Sequence, residues 1–336
     1  MIDATHVMLA HGNGGRHMRE LIEEIFARHL ANPALDVRLD AAPFEIAPGM
    51  LPFITTDAFT VQPLEFPGGD IGALAVNGTV NDLAVSGALP KYLTLNVIIE
   101  EGLEVRCLDR IVKSLAAAAR TAGVCVIAGD TKVVPRGQGG GLYIATTGVG
   151  FREPGRRLGI DQIRAGDVLL VSGPVGDHGI AVMLAREEFE LQGSIESDCA
   201  PVTPLTAPLA AVDGLRFMRD PTRGGLATVA HEIAAATRLG VRLAEASIPV
   251  RDAVRSFCSI LGYDPYYLAS EGRVVAVAAP DAAGEILSRW RATPGGEQAA
   301  AIGAVGDGPG GVILATEIGG ERFLEELEDD PLPRIC

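Results

Sequence analysis

Met18, Leu21, Ile22, Ile25, Phe26 and Leu30 recur at helical spacing, so residues 16–30 read as an amphipathic helix. The turn His11-Gly12-Asn13-Gly14-Gly15 opens it, and a helix start of this kind can hold an anion. Apolar runs at 53–56, 93–99, 124–128 and 142–149 predict strands, separated by helical stretches near 70–86 and 104–122. Gly123 is placed as a C-cap for the second of these helices. The polar run Gly150-Phe151-Arg152-Glu153-Pro154-Gly155-Arg156-Arg157 then reads as a domain boundary. A second alternation of strands and helices begins at 167–172 and continues to about residue 316. The varied spacing and hairpin-like gaps point to an α+β fold in two domains, 1–152 and 153–324, more than to a doubly wound parallel sheet. Residues 325–336 are acidic and then proline-stiffened, a composition that resists packing and predicts a flexible tail.

Composition narrows the partners. The 336 residues carry a formal net charge of −15, which argues against a large surface for nucleic acid. Hydrophobic residues make up 48%, enough for a substantial core, yet no run approaches the ~20 apolar residues of a spanning helix. The start has neither a basic nor an apolar leader region. Five scattered cysteines without a CxxC pair fit neither a disulfide framework nor a zinc knuckle, so the expected compartment is the reducing cytoplasm.

The strongest chemical pattern is a set of aspartates at strand ends or beside glycines: Asp57, Asp130 and Asp220, with Asp82 interrupting an apolar helical stretch. Any one of them alone is more simply a capping or turn residue. Four together suggest carboxylates that meet Mg²⁺ and a nucleotide's phosphates, because burying several acids without a cation is costly. The loops Pro67-Gly68-Gly69-Asp70 and Arg223-Gly224-Gly225 precede helical patterns and can present backbone N–H groups to phosphate, although neither is a Walker A loop. The glycine pattern at Gly306, Gly308 and Gly311 leads into a strand and is set aside as a turn. His231-Glu232 lacks the second histidine of a zinc helix, since Ala235 stands there. Gly176-Asp177-His178-Gly179 divides evenly between a capped helix start and a site loop. Cys336, at the end of a proline-stiffened tail, has no core-packing purpose. Its neighbouring α-carboxylate disfavours the thiolate, so a reacting Cys336 needs a cation or base, for which Lys132 and Glu271 are candidates.

The runs Thr55-Thr56-Asp57-Ala58-Phe59, Phe66-Pro67-Gly68-Gly69-Asp70-Ile71-Gly72, Val80-Asn81-Asp82-Leu83-Ala84 and Gly129-Asp130-Thr131-Lys132 are distinctive together. With Asp220-Pro221-Thr222-Arg223-Gly224-Gly225, Ser270-Glu271-Gly272-Arg273 and the ending Pro333-Arg334-Ile335-Cys336, the chain resembles the HypE family of hydrogenase maturation factors over essentially its full length. That family lies in the superfamily of aminoimidazole ribonucleotide synthetase, selenophosphate synthetase and thiamine-phosphate kinase. The resemblance implies two α+β domains, a homodimer whose N-terminal sheets join, and an ATP·Mg²⁺ site in the groove between domains. By matching motifs, Asp57, Asp82, Asp130 and Asp220 are assigned to the metal. Gly68, Gly69, Asp70, Asn81, Thr131, Arg223 and Gly224 are assigned to the nucleotide, with the N-terminal glycine loop near the phosphates.

The resemblance also implies a reaction. A carbamoyltransferase, HypF, places a carbamoyl group on Cys336, ATP drives its dehydration to a thiocyanate, and the cyanide passes to iron through a HypC–HypD complex. Glu271 is then the candidate base and Lys132 its electrostatic partner, unless the two form only a structural ion pair. Ala58 and Asn13 stand where serine is expected and should alter a hydrogen bond at most. The rival readings are a small-molecule kinase of the same superfamily and a non-catalytic carrier. No cysteine precedes Cys107, which speaks against the selenophosphate branch, and a carrier leaves the acid cluster unexplained.

Overall fold

The computed structural model describes residues 4–186 and 195–327. Cys336 and most of the expected tail lie outside the described residues.

Two sheets organise the chain. The first is four-stranded, built from β1 (Leu51–Phe59), β4 (Leu89–Glu100), β5 (Cys125–Val134) and β6 (Leu142–Arg152) in the order β1-β6-β4-β5. Between β1 and β4 lies a short hairpin, β2 (Glu65–Phe66) and β3 (Gly69–Asp70). β4 and β5 run parallel, so the helix Val105–Ala122 must carry the chain back between them. Gly123 ends that helix with φ 72°, the left-handed conformation that a glycine C-cap supplies.

The second sheet is seven-stranded, in the order β13-β12-β9-β11-β7-β10-β8. Its strands are β7 (Val168–Val171), β8 (Leu215–Arg219), β9 (Leu239–Ala244), β10 (Val275–Ala278), β11 (Ala300–Pro309), β12 (Gly311–Ala315) and β13 (Glu321–Phe323). All its pairings are antiparallel except β9 with β12. Mixed sheets with helices set against them make this the α+β, two-domain fold that the strand spacing predicts.

The helix Ile71–Val85 is apolar nearly all round, and such a helix must be buried on every side. It lies against β1, β4 and β6, against the helix Val105–Ala122, and against the helix Thr203–Thr206 and β8 of the second domain. Two glycines permit this closeness. A Cβ at Gly72 would stand 2.5 Å from the carbonyl oxygen of Ile111, and one at Gly78 would stand 2.8 Å from the Phe59 ring. The helix therefore carries its single acid, Asp82, into the seam between domains.

Residues 16–30 are helical throughout, but the turns Ile22–Ala27 are π-helical and not α-helical. The register of the first sheet places Ile54, Thr56 and Ala58 on one face with Val149, Thr147 and Ala145, then with Tyr92, Thr94, Asn96 and Ile98. Asp130 and Lys132 pair with Asn96 and Ile98 and share that face. It is the open face: Ile54 is 74% exposed and Ile98 41%. The opposite face carries Asp57 beside Thr146 and packs on the helix Ile71–Val85.

Candidate active site

A cavity of about 440 Å³ lies in the seam between the two domains. Its acids are Asp57 at the end of β1, Asp82 on the buried helix, Asp220 just after β8, Glu232 on the helix Gly225–Thr237, and Glu271 in the loop before β10. Its cations are Arg219 and Arg223.

Each acid is held by a local device. Asp82 accepts a 2.7 Å hydrogen bond from the Thr55 hydroxyl. Asp57 accepts the N–H of Ala58 at 2.8 Å and reaches past Gly78, whose missing side chain opens the path. Glu271 is placed by Asn81, a fully buried amide with all its main bonds committed. Asn81 Nδ2 donates to the carbonyls of Glu271 (2.9 Å) and Ala200 (3.1 Å), while its Oδ1 accepts the N–H of Val202 (2.8 Å).

Crowding of like charge sets the electrostatics. Burial pushes the Asp220 carboxyl up to about 7, with Asp82 and Asp57 adding to the rise and Arg219 opposing it. Glu271 is raised well above the usual range by burial and then by Asp220, Asp198, Asp57 and Asp82. Burial also raises Asp57, with Arg223 pulling the other way. Glu271 Oε1 is buried without a hydrogen-bond partner among the described residues. Such a group awaits either a cation or a proton acceptor role.

On the opposite wall, Gly224 and Gly225 take φ of 71° and 60° and lead into the helix Gly225–Thr237. A Cβ at Gly225 would sit 2.5 Å from the Leu268 carbonyl, so only glycine fits there. No side chain caps this helix, although its first N–H, that of Gly225, donates to the Thr222 carbonyl at 2.9 Å. Anionic walls with Arg219 and Arg223 among them suit a polyanion that arrives with its own divalent cation. Among the described residues no three His, Cys, Asp or Glu converge closely enough to hold a metal alone, so phosphate oxygens would complete the shell.

Of the residues expected at the site, Asp57, Asp82, Asp220, Glu271, Arg223 and Gly224 line this cavity. Asn81 is one step behind it, holding Glu271. Gly68, Gly69 and Asp70 are not in its lining. Asp70 caps the helix Ile71–Val85 by accepting the N–H groups of Gly72 (2.7 Å) and Ala73 (2.9 Å), so that loop does not offer them to phosphate. Asp130 and Thr131 line a separate cavity of about 110 Å³ beneath residues 18–37. Lys132 does not line the 440 Å³ cavity and is not among the charges acting on Glu271. β5 stands three strand spacings from β1, about 14 Å across the sheet, which keeps Asp130 and Lys132 from the other acids within one chain. The N-terminal glycine loop lies on that same side, with Gly12 against Val133.

The sequence reading missed Gly78, Thr228, Arg219, Glu232 and Leu327, which also line the cavity. Gly78 carried a signal, being a glycine inside a helical stretch one turn before Asp82. Leu327 comes there because the Leu324 carbonyl is 2.8 Å from His231 Nε2 and the Glu325 carbonyl accepts the Tyr267 hydroxyl at 2.7 Å. His231 is thus an anchor for the end of the chain.

Residues 38–151 match the family described as AIR synthase related protein, N-terminal domain, and residues 164–315 match its C-terminal domain. The fold and the acid-lined seam thus place the chain among the AIR synthase related proteins. Within them it belongs to the HypE carbamoyl dehydratase family. It is 48% identical to carbamoyl dehydratase HypE of Azotobacter vinelandii over 332 residues, 98% of this chain and 97% of the relative. A crystal structure of hydrogenase maturation protein HypE in complex with ATP superposes with a TM-score of 0.93 at 42% identity, covering 98% of this chain and 99% of that one. The crystal structure of a HypE–HypF complex matches with a TM-score of 0.80 at 43% identity, over 91% and 99% of the two chains. Among the described residues no helix is long and apolar enough to cross a membrane.

Asp220 supplies a prediction that needs no partner protein. A carboxyl raised from 3.8 to about 7 by burial weakens the fold as pH climbs through that interval, because the folded state holds the proton more tightly than the unfolded chain. Asp220→Asn removes that cost. It should stabilise the nucleotide-free protein at both pH values, and by about 2 kcal/mol more at pH 8 than at pH 5.5. Thermal unfolding at the two pH values checks this, and an equal change at both would contradict it.

Proposed function

We propose that this chain uses ATP to dehydrate an S-carbamoyl group on its own Cys336 to a thiocyanate, which supplies cyanide to the iron of a NiFe hydrogenase. The observation that carries this reading is that Leu327 lines the same cavity as Asp57, Asp82, Asp220 and Glu271. Cys336 stands nine positions beyond Leu327, a reach of up to about 30 Å, enough for the sulfur to enter the cavity or to leave it.

Bound with Mg²⁺, ATP supplies the phosphoryl group that turns the carbamoyl oxygen into a leaving group. The rest falls to the chain. Asp57, Asp82 and Asp220 would share the cation with phosphate oxygens, and Arg223, beside the uncapped start of the helix Gly225–Thr237, would hold phosphate. Glu271 takes a proton from the carbamoyl nitrogen as the carbon–nitrogen bond order rises. A base must be ionised, yet the largest neighbouring charges that act on Glu271 are anionic. A further cation brought close to it would hold it ionised.

A homodimer joined through the open face of the first sheet supplies one. That face is apolar at Ile54, Val149 and Ile98, and it carries Asp130 and Lys132. Joining two such faces would bring Lys132 of the partner subunit toward Glu271, and Asp130 of the partner subunit toward the nucleotide. Carbamoylation would come from a HypF transferase, and delivery of cyanide would go through a HypC–HypD complex in the cytoplasm. The HypF step is supported by the likeness to the HypE–HypF complex. The test is deletion of Cys336: ATP turnover that persists on a free small molecule would favour a superfamily kinase instead.

A further inference from the structure

Residues 195–202 lie between the domains as a strap. On one side the N–H of Ser197 donates to the Pro67 carbonyl at 2.8 Å, and Asn77 and Asn81 bond Cys199 Sγ and the Ala200 carbonyl. On the other side the strap meets the loop that carries Glu271. A Cβ at Gly272 would come within 1.9 Å of the Asp198 carbonyl oxygen, so the two backbones touch where only glycine fits. Asp198 Oδ1 accepts the N–H of Glu271 itself at 3.0 Å.

The Asp198 side chain is 1% exposed, and a buried carboxylate needs a cation. Arg273 Nε stands 3.3 Å from its Oδ2, an ion pair without a hydrogen bond, since the Nε hydrogen goes to the Pro174 carbonyl. Arg273 is fixed in turn by the carbonyls of Pro174 and Gly295, both at 2.9 Å, and its Nη2 lies 3.8 Å from Asp177. Asp177, wholly buried at the start of the helix Asp177–Ala185, has a second cation in Arg251 at 3.1 Å. This arrangement gives the motif Gly176-Asp177-His178-Gly179 a purpose: it closes the charge balance behind Asp198.

We propose that Asp198 is a positioning residue for the dehydration, its carboxylate kept charged by the nearby Arg273 and accepting the Glu271 N–H so that the Glu271 carboxyl stands fixed in the cavity. The inference rests on Glu271 being the base. It predicts that rate, and not nucleotide affinity, depends on the acceptor at position 198. The full-length carbamoylated chain is isolated, mixed with Mg·ATP over a range of concentrations, quenched and read by intact mass in single turnover. Asp198→Asn keeps an acceptor for the Glu271 N–H and should stay within about threefold of the wild-type rate. Asp198→Ala, which removes it, and Asp198→Glu, which keeps Arg273 paired but displaces the acceptor, should both fall by roughly 10- to 100-fold, with half-saturating ATP unchanged within about threefold. Should Asp198→Ala fail to fold, Asp198→Glu decides. Wild-type rates in the Ala or Glu variants, or a loss matched by an equal loss of ATP affinity, would overturn the proposal. A Glu271→Gln control separates the two layers: full-rate dehydration there removes Glu271 from the reaction, whatever the Asp198 variants do.

Discussion

Glu271→Gln is expected to lower single-turnover dehydration of the carbamoylated chain by about three orders of magnitude, with ATP binding kept within about threefold. The substitution keeps the size of the side chain and removes only its capacity to take a proton. It also removes one member of a crowded set, since Glu271 is buried and is raised by Asp220, Asp198, Asp57 and Asp82. The variant should therefore be at least as stable as the wild type, which separates loss of chemistry from loss of fold. Rapid-quench intact mass beside a binding isotherm checks both halves. Dehydration within tenfold of the wild-type rate would mean that another group, or water, takes the nitrogen's proton.

The second large effect concerns where Lys132 acts. Within one chain it stands on the open face of the first sheet, paired with Ile98, and does not line the cavity that holds Glu271. If the sheets of two chains join by that face, Lys132 and Glu271 of one site come from different subunits. Lys132→Ala and Glu271→Gln homodimers should each lose at least about 100-fold in dehydration. Mixed and re-equilibrated, the two inactive chains should recover about a quarter of wild-type activity, because half the dimers are mixed and each of those holds one intact site. No recovery, with mixed dimers shown to form, would place both residues in one subunit's site and contradict the shared arrangement.

Much of the fold was legible because the periodicities are strong. The helix expected near 104–122 is Val105–Ala122, closed by Gly123, and the strand expected at 167–172 contains β7, Val168–Val171. The helix near 70–86 was legible for a different reason: its largely apolar character marks burial on nearly every side, so Asp82 stood out as the one acid carried to the seam. Strand lengths were underestimated, since β1 runs from Leu51 to Phe59 where only 53–56 reads as strand. The expected run stops short of Asp57, the acid that this end of the strand brings to the cavity.

The site was legible where chemistry and backbone coincide. Asp220 and Arg223-Gly224-Gly225 stand out in the sequence as an acid beside a helix start, and Asp220, Arg223 and Gly224 line the cavity at the start of the helix Gly225–Thr237. What sequence could not supply was distance across the sheet: Asp130 looks like Asp57 in its local run, yet three strand spacings separate their strands. Nor could it supply Asp198, whose run Glu196-Ser197-Asp198-Cys199 has no motif. Its meaning comes from a contact with Glu271, 73 residues further along the chain.

The most direct test of dehydration on Cys336 is intact mass in two stages. The chain is first carbamoylated by a HypF transferase and isolated, then incubated with Mg·ATP beside a Cys336→Ala control. A carbamoyl group gained on Cys336 and the loss of one water only when ATP is added is the predicted result. Carbamoylation that persists unchanged in the presence of ATP would contradict it and leave the chain a carrier.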